Sequence, residues 1–465
     1  MTSTDVRLEA AEALRFPAGF VFGAATAAYQ IEGAVDEDGR GPSIWDTFSH
    51  TPGKTHDGDT GDVATDHYHR YPEDVALMAD LGLAAYRFSV AWPRVLPEGA
   101  GRVEQRGLDF YRRLVDELLE HGVDPWLTLY HWDLPQALQG QGGWAARDTA
   151  ARFADYAGVV VDALGDRVRH WSTLNEPMCS SLLGYRAGQH APGERDAARA
   201  ARAVHHLLLG HGLATQVLRD RGVADLGITL NFTPIAAAGE SAADLDAARR
   251  LDGQQNRMFL EPLVRGAYPA DVVRDLAAAG APLPVEDGDL AVIAAPLDWL
   301  GVNFYFTNVV RGGQPPTGKP TPFIGAEDVV EVEHEGPTTT MGWNVDPEGF
   351  TDLLLRLRDE APGLPLVVTE NGSAWPDEVT PDGQVHDPER SDYLLSHLHA
   401  VSEAVGKGAD VRGYFAWTFM DNFEWARGYA QRFGLVHVDY ATQRRRPKDS
   451  ARLYAEVIRR HRDAS

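Results

Sequence analysis

The sequence predicts an α/β protein in which eight parallel strands and the helices between them close into a single (β/α)₈ barrel, with long loops at the carboxyl ends of the strands. Three observations predict this fold. Short apolar runs, typical of strands that are buried on both faces, recur eight times along the 465 residues. Segments with an apolar face at helical spacing lie between these runs, so the strands are joined by crossovers and run parallel. No linker rich in Pro, Gly or Ser divides the chain.

The strand candidates are separated by segments long enough to hold a helix. They are FVFGAATAAYQ (20–30), AAYRFSVAW (84–92), DPWLTLYHW (124–132), RHWSTLNEP (169–177), LGITLNF (226–232), DWLGVNFY (298–305), LPLVVTEN (364–371) and VRGYFAWTFMD (411–421). Eight such units are the number that closes a barrel of this kind.

Two of the intervening segments show the helical pattern most clearly. In residues 104–122 the apolar side chains fall on one face, and Gly122 stands where a glycine commonly ends a helix. Residues 152–165 repeat the pattern and end at Gly165. Both segments therefore predict helices that cover the outside of the barrel.

Three loops are longer than a barrel requires, at about residues 31–66, 306–345 and 421–445. Each follows a strand, so we expect all three at the face of the barrel where active sites lie. We expect one catalytic domain over residues 16–465, preceded by a poorly ordered tail at 1–15.

Composition excludes several classes of partner. The net charge of −25 argues against nucleic-acid binding and against docking on anionic membranes. No apolar run reaches the roughly 18 residues of a membrane span, and the first residues do not resemble a secretory signal. The only cysteine, Cys179, leaves no intrachain disulfide. We expect a cytoplasmic protein without nucleic-acid or membrane partners.

Polar side chains occupy the carboxyl ends of the predicted strands, where a closed barrel brings them to one rim. These residues are Gln30, Arg87, His131, Asn175, Glu176, Asn231, Asn303, Tyr305, Glu370 and Asp421. Glu176 and Glu370 end the fourth and seventh strands, which lie on opposite sides of a barrel. Two carboxyl groups that face each other across a pocket are the equipment for breaking a glycosidic bond.

The surrounding residue types suit a sugar, which needs hydrogen-bonding side chains for its hydroxyls and aromatic platforms for its faces. Gln30, His131, Asn175 and Glu424 are candidates for the hydroxyls. Trp417, Trp425 and Phe433 are candidates for the platforms. For Trp417, which lies within a strand, a role in the core is a serious alternative.

Several motifs together resemble glycoside hydrolase family 1, the β-glucosidases and their relatives. The motifs are TENG (369–372), TLNEP (173–177), FVFGAATAAYQIEGA (20–34), YRFSVAWPR (86–94), LYHWDLP (129–135) and the segment 417–433. They occur in the family's order from about Phe16 to about Arg459. The resemblance implies a (β/α)₈ barrel and a retaining mechanism that needs no cofactor.

The resemblance also implies roles for individual residues. Glu370 is the nucleophile and Glu176 the acid/base. The residues that hold the sugar at the non-reducing end are Gln30, His131, Asn175, Glu424 and Trp425, with Trp417 beneath the ring. The residues around the nucleophile are Arg87, Asn303 and Tyr305.

On the leaving-group side, Trp343 resembles the family's platform for the second sugar. One departure lies there too, because the family often has Trp directly after Asn-Glu-Pro and this chain has Met178.

The expected function is a retaining, exo-acting β-glucosidase that removes terminal β-D-glucosyl residues from cello-oligosaccharides or from aryl and alkyl β-glucosides. A β-galactosidase, a β-fucosidase or a transglycosylase of the same family remain open alternatives. A 6-phospho-β-glycosidase is disfavoured, because no lysine lies between Lys407 and Lys448. A non-catalytic sugar-binding barrel is disfavoured because both glutamates are present.

The histidines do not predict a metal site. His67 and His69, and the group His205, His206 and His211, lack a convincing spacing for metal ligands. We therefore expect no metal and no cofactor.

Overall fold

The computed structural model describes residues 7, 9, 11–316 and 318–464. Within them, eight parallel strands form a closed barrel, which confirms the predicted fold class. These strands, labelled β1–β8 in chain order, are Val21–Ala25, Ala85–Ser89, Asp124–Tyr130, His170–Asn175, Asp225–Asn231, Trp299–Asn303, Leu366–Asn371 and Val411–Trp417. Each pairs with the next along the chain, and β8 pairs with β1.

Helices fill the crossovers between the barrel strands. The α-helices are Ala28–Ile31, Ile44–Ser49, His67–Asp80, Trp92–Val95, Gln105–Glu120, Gln136–Gln139, Asp148–Leu164, Ala197–Asp220, Ala242–Asp252, Met258–Arg265, Ala270–Ala278, Asp289–Ile293, Pro347–Glu360, Pro388–Gly406 and Asp449–Ala464. Two π-helical segments, Cys179–Ala187 and Gly253–Arg257, and three short 3₁₀ turns add to these, and the described residues 7, 9, 11 and 12 are also helical.

The two helices that the sequence predicts most clearly are present, with one difference at their ends. The first spans Gln105–Glu120, and Gly122 takes a left-handed φ of +72° as expected of a glycine after a helix. The second spans Asp148–Leu164, but Gly165 keeps a right-handed φ of −67°. A glycine is needed at position 165 for a steric reason and not for its φ, because a Cβ at Gly165 would lie 2.6 Å from the carbonyl oxygen of Val161.

The predicted strands 20–30 and 411–421 extend too far at their carboxyl ends. β1 ends at Ala25, and Gln30 lies in the helical turn Ala28–Ile31. β8 ends at Trp417, so Asp421 lies in the loop beyond it. The apolar pattern predicts strands that are too long here, because the chain remains buried beyond the end of each barrel strand.

The long loops carry small elements of their own. Three short strands, Ile235–Ala237, Asn308–Arg311 and Val330–Glu331, form a sheet beside the barrel mouth. A hairpin of Val436–Asp439 and Arg444–Pro447 closes the loop after β8.

The predicted tail at 1–15 falls partly outside the described residues, which leave out 1–6, 8 and 10. Ala11 and Leu14 are buried in the core, and the Arg15 amide donates a hydrogen bond to the Ser402 hydroxyl. Packing against the barrel therefore begins before residue 16. In the part of the chain that the structure describes, none of the helices combines the length and hydrophobicity that crossing a bilayer requires.

His170 joins three strands at the end of the barrel where the strands begin. Its Nε2 lies 2.9 Å from the Asp124 carboxylate and its Nδ1 contacts Asp225. The ring stacks on Trp126 with the centroids 4.2 Å apart. Burial opposes protonation of His170, but the two carboxylates outweigh it and raise the pKa to about 9.

We expect His170→Gln to destabilise the protein at pH 6 and to do so much less at pH 10. Since the pKa in the folded protein lies above the ordinary value near 6.5, the stabilisation is complete below that value and is lost as the pH rises through about 9. The loss at pH 6 should be roughly 1 to 2 kcal/mol. Denaturant unfolding at both pH values measures it, and the exposed His56→Gln serves as the control. A loss that does not change with pH would contradict the prediction.

Candidate active site

A cavity of about 1180 Å³ opens at the carboxyl ends of the barrel strands. Eleven of the polar and aromatic residues that the sequence singles out line it: His131, Glu176, Asn231, Asn303, Tyr305, Trp343, Glu370, Trp417, Glu424, Trp425 and Phe433. Gln30, Arg87 and Asn175 stand directly behind the wall, where each hydrogen-bonds to a residue that lines the cavity.

Glu370 is held by a cation and a hydroxyl. Its Oε1 accepts a hydrogen bond of 2.6 Å from Arg87 Nη1, and its Oε2 accepts one of 2.7 Å from the Tyr305 hydroxyl. Burial raises the pKa of Glu370, and Arg87 and Tyr305 act against that rise. A carboxylate held in this way can stay ionised within a buried cavity.

Among the described residues, no cation forms an ion pair with Glu176. Its Oε1 accepts a hydrogen bond of 2.6 Å from Asn303 Nδ2, and its Oε2 lies 3.1 Å from the Cys179 thiol. Burial and then the negative charge of Glu370 raise the pKa of Glu176 to about 8. The two carboxyl groups therefore differ in proton affinity, which is the arrangement that separates an acid from a nucleophile.

The two glutamates are linked by a polar network across the barrel. Asn175 Oδ1 accepts hydrogen bonds of 2.6 Å from Arg87 Nη2 and 3.2 Å from Asn303 Nδ2. The Thr369 hydroxyl donates to Asn303 Oδ1 at 2.7 Å and so fixes which end of that amide faces Glu176. Sequence reasoning did not single out Thr369, although it stands next to Glu370 inside a strand.

The backbone at Glu176 takes a left-handed φ of +49°, which non-glycine residues rarely adopt. Its N–H donates a 3.0 Å hydrogen bond to the Thr229 carbonyl of β5. Trp132 and Trp425 also have positive φ values, of 78° and 48°. Such conformations cost of order 1 kcal/mol or more and gather at functional sites, where surrounding contacts enforce them.

Two polar side chains at the cavity, Gln30 and His131, have buried hydrogen-bonding atoms without a partner among the described residues. Gln30 Nε2 donates to Asn422 Oδ1 at 3.0 Å and to Glu424 at 3.4 Å, while Gln30 Oε1 is buried without a partner among the described residues. His131 Nε2 lies 3.1 Å from Asn175 Nδ2. Burial holds the pKa of His131 well below its ordinary value, so the ring is neutral. A ligand rich in hydroxyl groups can satisfy atoms of this kind.

Glu424 is a third carboxyl group in the same cavity. Its hydrogen bond from Gln30, at 3.4 Å, is a long one. Burial, and then the charges of Glu370 and Glu176, raise the pKa of Glu424 to about 8. Near neutral pH this carboxyl group is therefore mostly protonated, so it can both donate to and accept from neutral hydroxyl groups.

Aromatic rings form the floor and one side of the cavity. His131 stacks against Trp417 and Trp425, each with its centroid 5.9 Å away. Trp425 also packs on Trp132 at 4.5 Å. Trp417 lines the cavity and also belongs to the buried core.

Trp343, in the long loop after β6, lines the cavity. Its ring centroid is 5.3 Å from Tyr305 and 6.1 Å from Phe433. Met178, the residue that departs from the family pattern, also lines the cavity.

Asp421 does not reach the cavity and instead anchors the loop after β8. Its carboxylate accepts hydrogen bonds from Arg432 at 2.6 Å, from the Gly434 amide at 3.0 Å and from Lys448 at 2.7 Å. Phe433, which lies between two of these partners, is thereby fixed in the cavity wall. Lys448 is fully buried in this cluster and so is not available to bind a ligand in the cavity.

The histidines singled out in the sequence have hydrogen-bond partners within the protein: His206 contacts the Trp144 carbonyl and His211 the Thr173 hydroxyl. His67 contacts Asp74 at 2.7 Å, and His205 bridges Asp289 and Tyr268. Among the described residues, no group of three or more His, Cys, Asp or Glu side chains is arranged to hold a metal ion.

A barrel with two unlike carboxyl groups in one cavity, at the ends of its fourth and seventh strands, has the equipment of a glycosidase that hydrolyses O-glycosyl bonds. Comparison with known proteins then gives the family. The model of Glycosyl hydrolase family 1 matches residues 12–463, and the chain belongs to that family.

Curated relatives match over nearly the full length. The thermostable β-glucosidase B of Thermobispora bispora is 53% identical over 455 residues, covering 97% of this chain and 92% of its own. The bifunctional β-D-glucosidase/β-D-fucosidase of Bifidobacterium breve is 51% identical over 461 residues, covering 96% and 98%.

Solved structures agree with the fold in detail. The psychrophilic β-glucosidase of Micrococcus antarcticus superposes with a TM-score of 0.93 at 51% identity, covering 97% of this chain and 98% of its own. The family 1 β-glucosidase of Thermotoga maritima, in complex with isofagomine lactam, gives 0.91 at 46% identity, covering 96% and 99%.

Proposed function

We propose that the protein is a retaining, exo-acting β-glucosidase in which Glu370 is the nucleophile and Glu176 the acid/base. The observation that carries the proposal is the unequal support of the two carboxyl groups. Glu370 has Arg87 and Tyr305 to hold it as an anion, whereas Glu176 has only an amide and a thiol. The β-glucosidase activity of the relatives named above supports the glucose preference.

The mechanism follows from these contacts. Protonated Glu176 gives its proton to the glycosidic oxygen as Glu370 attacks the sugar carbon, and an ester to Glu370 forms. The negative charge of Glu370 disappears at that point, so the pKa of Glu176 falls and its carboxylate can take a proton from water. Water then displaces the sugar from Glu370, and two inversions restore the β configuration.

The sugar-side residues support a neutral glucosyl group. Glu424 would accept hydrogen bonds from the outer hydroxyls, with Gln30, His131, Asn175 and Trp425 around the ring and Trp417 beneath it. A 6-phosphate is disfavoured because it would bring a further negative charge into a cavity whose buried carboxyl groups, Glu176, Glu370 and Glu424, already have raised pKa values. A sugar that lacks one outer hydroxyl would still offer another hydroxyl to Glu424. We therefore expect β-fucosides to be second substrates. The Bifidobacterium breve relative is named for both activities.

On the leaving-group side, Trp343 would be the platform for the second sugar of a cello-oligosaccharide. Met178 would offer only a flexible and weaker wall.

We also propose that the enzyme acts in the cytoplasm. The single cysteine of the chain, Cys179, is a free thiol, which supports this location.

Neutral aryl β-glucosides should give β-glucose as the first-formed anomer, as observed by proton NMR within the first turnovers. In the same assay kcat/KM should be highest for the glucoside, within about 100-fold of it for the fucoside, and lowest for the 6-phosphoglucoside. Cellobiose, laminaribiose and gentiobiose then rank the linkages. First formation of α-glucose would contradict retention, and faster cleavage of the 6-phospho substrate would contradict the neutral-sugar assignment.

A further inference from the structure

The only cysteine of the chain stands against the acid/base glutamate. Cys179 begins the π-helical segment that follows Glu176, and its Sγ lies 3.1 Å from Glu176 Oε2. The thiol is buried and lines the cavity. Burial, and then Glu176 itself, raise the pKa of Cys179 well above its ordinary value, so the sulfur keeps its hydrogen at neutral pH.

The two oxygens of Glu176 have partners of different kinds. Oε1 accepts a hydrogen bond from the Asn303 amide nitrogen, which can donate but cannot accept. When Glu176 is protonated, its hydrogen therefore belongs on Oε2, the oxygen that faces the thiol. The hydrogen bond from Thr369 to Asn303 Oδ1 keeps the amide in this orientation.

A thiol can serve Oε2 in both charge states of Glu176. It donates its S–H to the ionised carboxylate, and its sulfur accepts the O–H of the protonated acid. In the second case the thiol hydrogen needs another acceptor. Asn231 places its side-chain amide 3.8 Å from the sulfur, and Asn231 Oδ1 is buried without a hydrogen-bond partner among the described residues. A turn of this amide would present that oxygen to the thiol.

We propose that Cys179 is a positioning residue for Glu176, holding Oε2 in place through both steps of the reaction. In the first step the hydrogen on Oε2 moves to the glycosidic oxygen as the bond to the leaving group breaks. In the second step Oε2 takes a proton from water as the ester bond to Glu370 breaks. The same oxygen thus acts as acid and then as base. This proposal rests on the proposed role of Glu176.

Two substitutions at Cys179 and one beside it test the proposal. Cys179→Ala removes the partner of Oε2, and Cys179→Ser replaces it with a stronger donor. Ser180→Ala is the matched control, because the Ser180 hydroxyl is the next along the chain and has no hydrogen-bond partner among the described residues. The measurement is the pH profile of kcat/KM for cellobiose, whose basic limb reports the acid group of the free enzyme.

The two cysteine variants should move the basic limb in opposite directions. Cys179→Ala removes a hydrogen bond that stabilises the ionised carboxylate of Glu176 more than the protonated acid and so lowers the pKa, and the limb should therefore rise by about 0.5 unit. Cys179→Ser should lower it, because a hydroxyl stabilises the carboxylate more strongly. Cys179→Ala should also reduce kcat/KM by about 3- to 10-fold for cellobiose but by less than about 2-fold for a dinitrophenyl glucoside, which needs little acid catalysis. Ser180→Ala should match the unmodified enzyme.

An unshifted limb in Cys179→Ser would overturn the proposal, even if Cys179→Ala did not fold. An equal loss on both substrates in Cys179→Ala would do the same, since it would mean that the thiol only fills space. Glu176→Ala separates this proposal from the one on which it rests. If that variant depends on added azide while the cysteine variants behave as the unmodified enzyme, only the role of the thiol is wrong. If that variant hydrolyses cellobiose normally, both proposals are wrong.

Discussion

Glu370→Gly should lose hydrolysis of β-glucosides by at least about 10⁴-fold, because no other group can form the ester that replaces the glycosidic bond. The same variant should accept α-glucosyl fluoride. Glycine leaves space on the face where the ester would stand, and the α-fluoride places its leaving group there. Glu176 then takes the proton from an acceptor hydroxyl as fluoride departs, and a β-linked disaccharide forms.

The experiment combines fluoride release with mass analysis of the product when an aryl β-glucoside is the acceptor. Glu370→Gln is the matched control: it also lacks a nucleophile but fills the space, so it should be inactive on both donors. Glycine loses both hydrogen bonds, from Arg87 and from Tyr305, whereas the amide oxygen of glutamine can still accept one of them, so thermal unfolding of both variants checks that each is folded. Normal hydrolysis by the glycine variant would show that Glu370 is not the nucleophile.

The positions of the two glutamates could be predicted because parallel strands that close into a barrel bring their carboxyl ends to one rim. Glu370 is the fifth residue of β7, level with Asn303 of β6, and Glu176 follows β4 directly. The local pattern of an apolar run followed by a polar residue was sufficient for both. It was also sufficient for Arg87, whose strand is buried throughout.

The local pattern of an apolar run followed by a polar residue could not predict contacts between distant segments. Asp421 looked like another rim residue, yet it binds Lys448 and Arg432 and never meets the cavity. The pairing depends on how the loop after β8 folds back, and no periodicity encodes it. The contact of Cys179 with Glu176 is local by contrast: the Cys179 amide donates to the Glu176 carbonyl at 3.0 Å, and this turn brings the thiol against the carboxyl group.

Glu176→Ala should separate the two steps of the reaction. Cellobiose hydrolysis should fall by about 10²- to 10⁴-fold, because its leaving group needs a proton. A dinitrophenyl glucoside should still form the ester on Glu370 at nearly the normal rate, visible as a burst of dinitrophenol. The second step should then be slow, because no base activates water. The basic limb near pH 8 should disappear, since it reports loss of the Glu176 proton.

Added azide should restore turnover of the dinitrophenyl substrate in this variant. Azide needs no base, and the truncated side chain leaves room for it beside Asn303 and Cys179, which contact the carboxyl group in the intact protein. The product should be β-glucosyl azide, because the anion attacks from the side opposite to Glu370. Glu176→Gln is the control: it cannot protonate a leaving group, but its amide occupies the site, so azide should have little effect. An α-glucosyl azide product would mean that the other carboxyl group is the nucleophile. If azide did not restore turnover while the burst of dinitrophenol remained intact, Glu176 would not be the base.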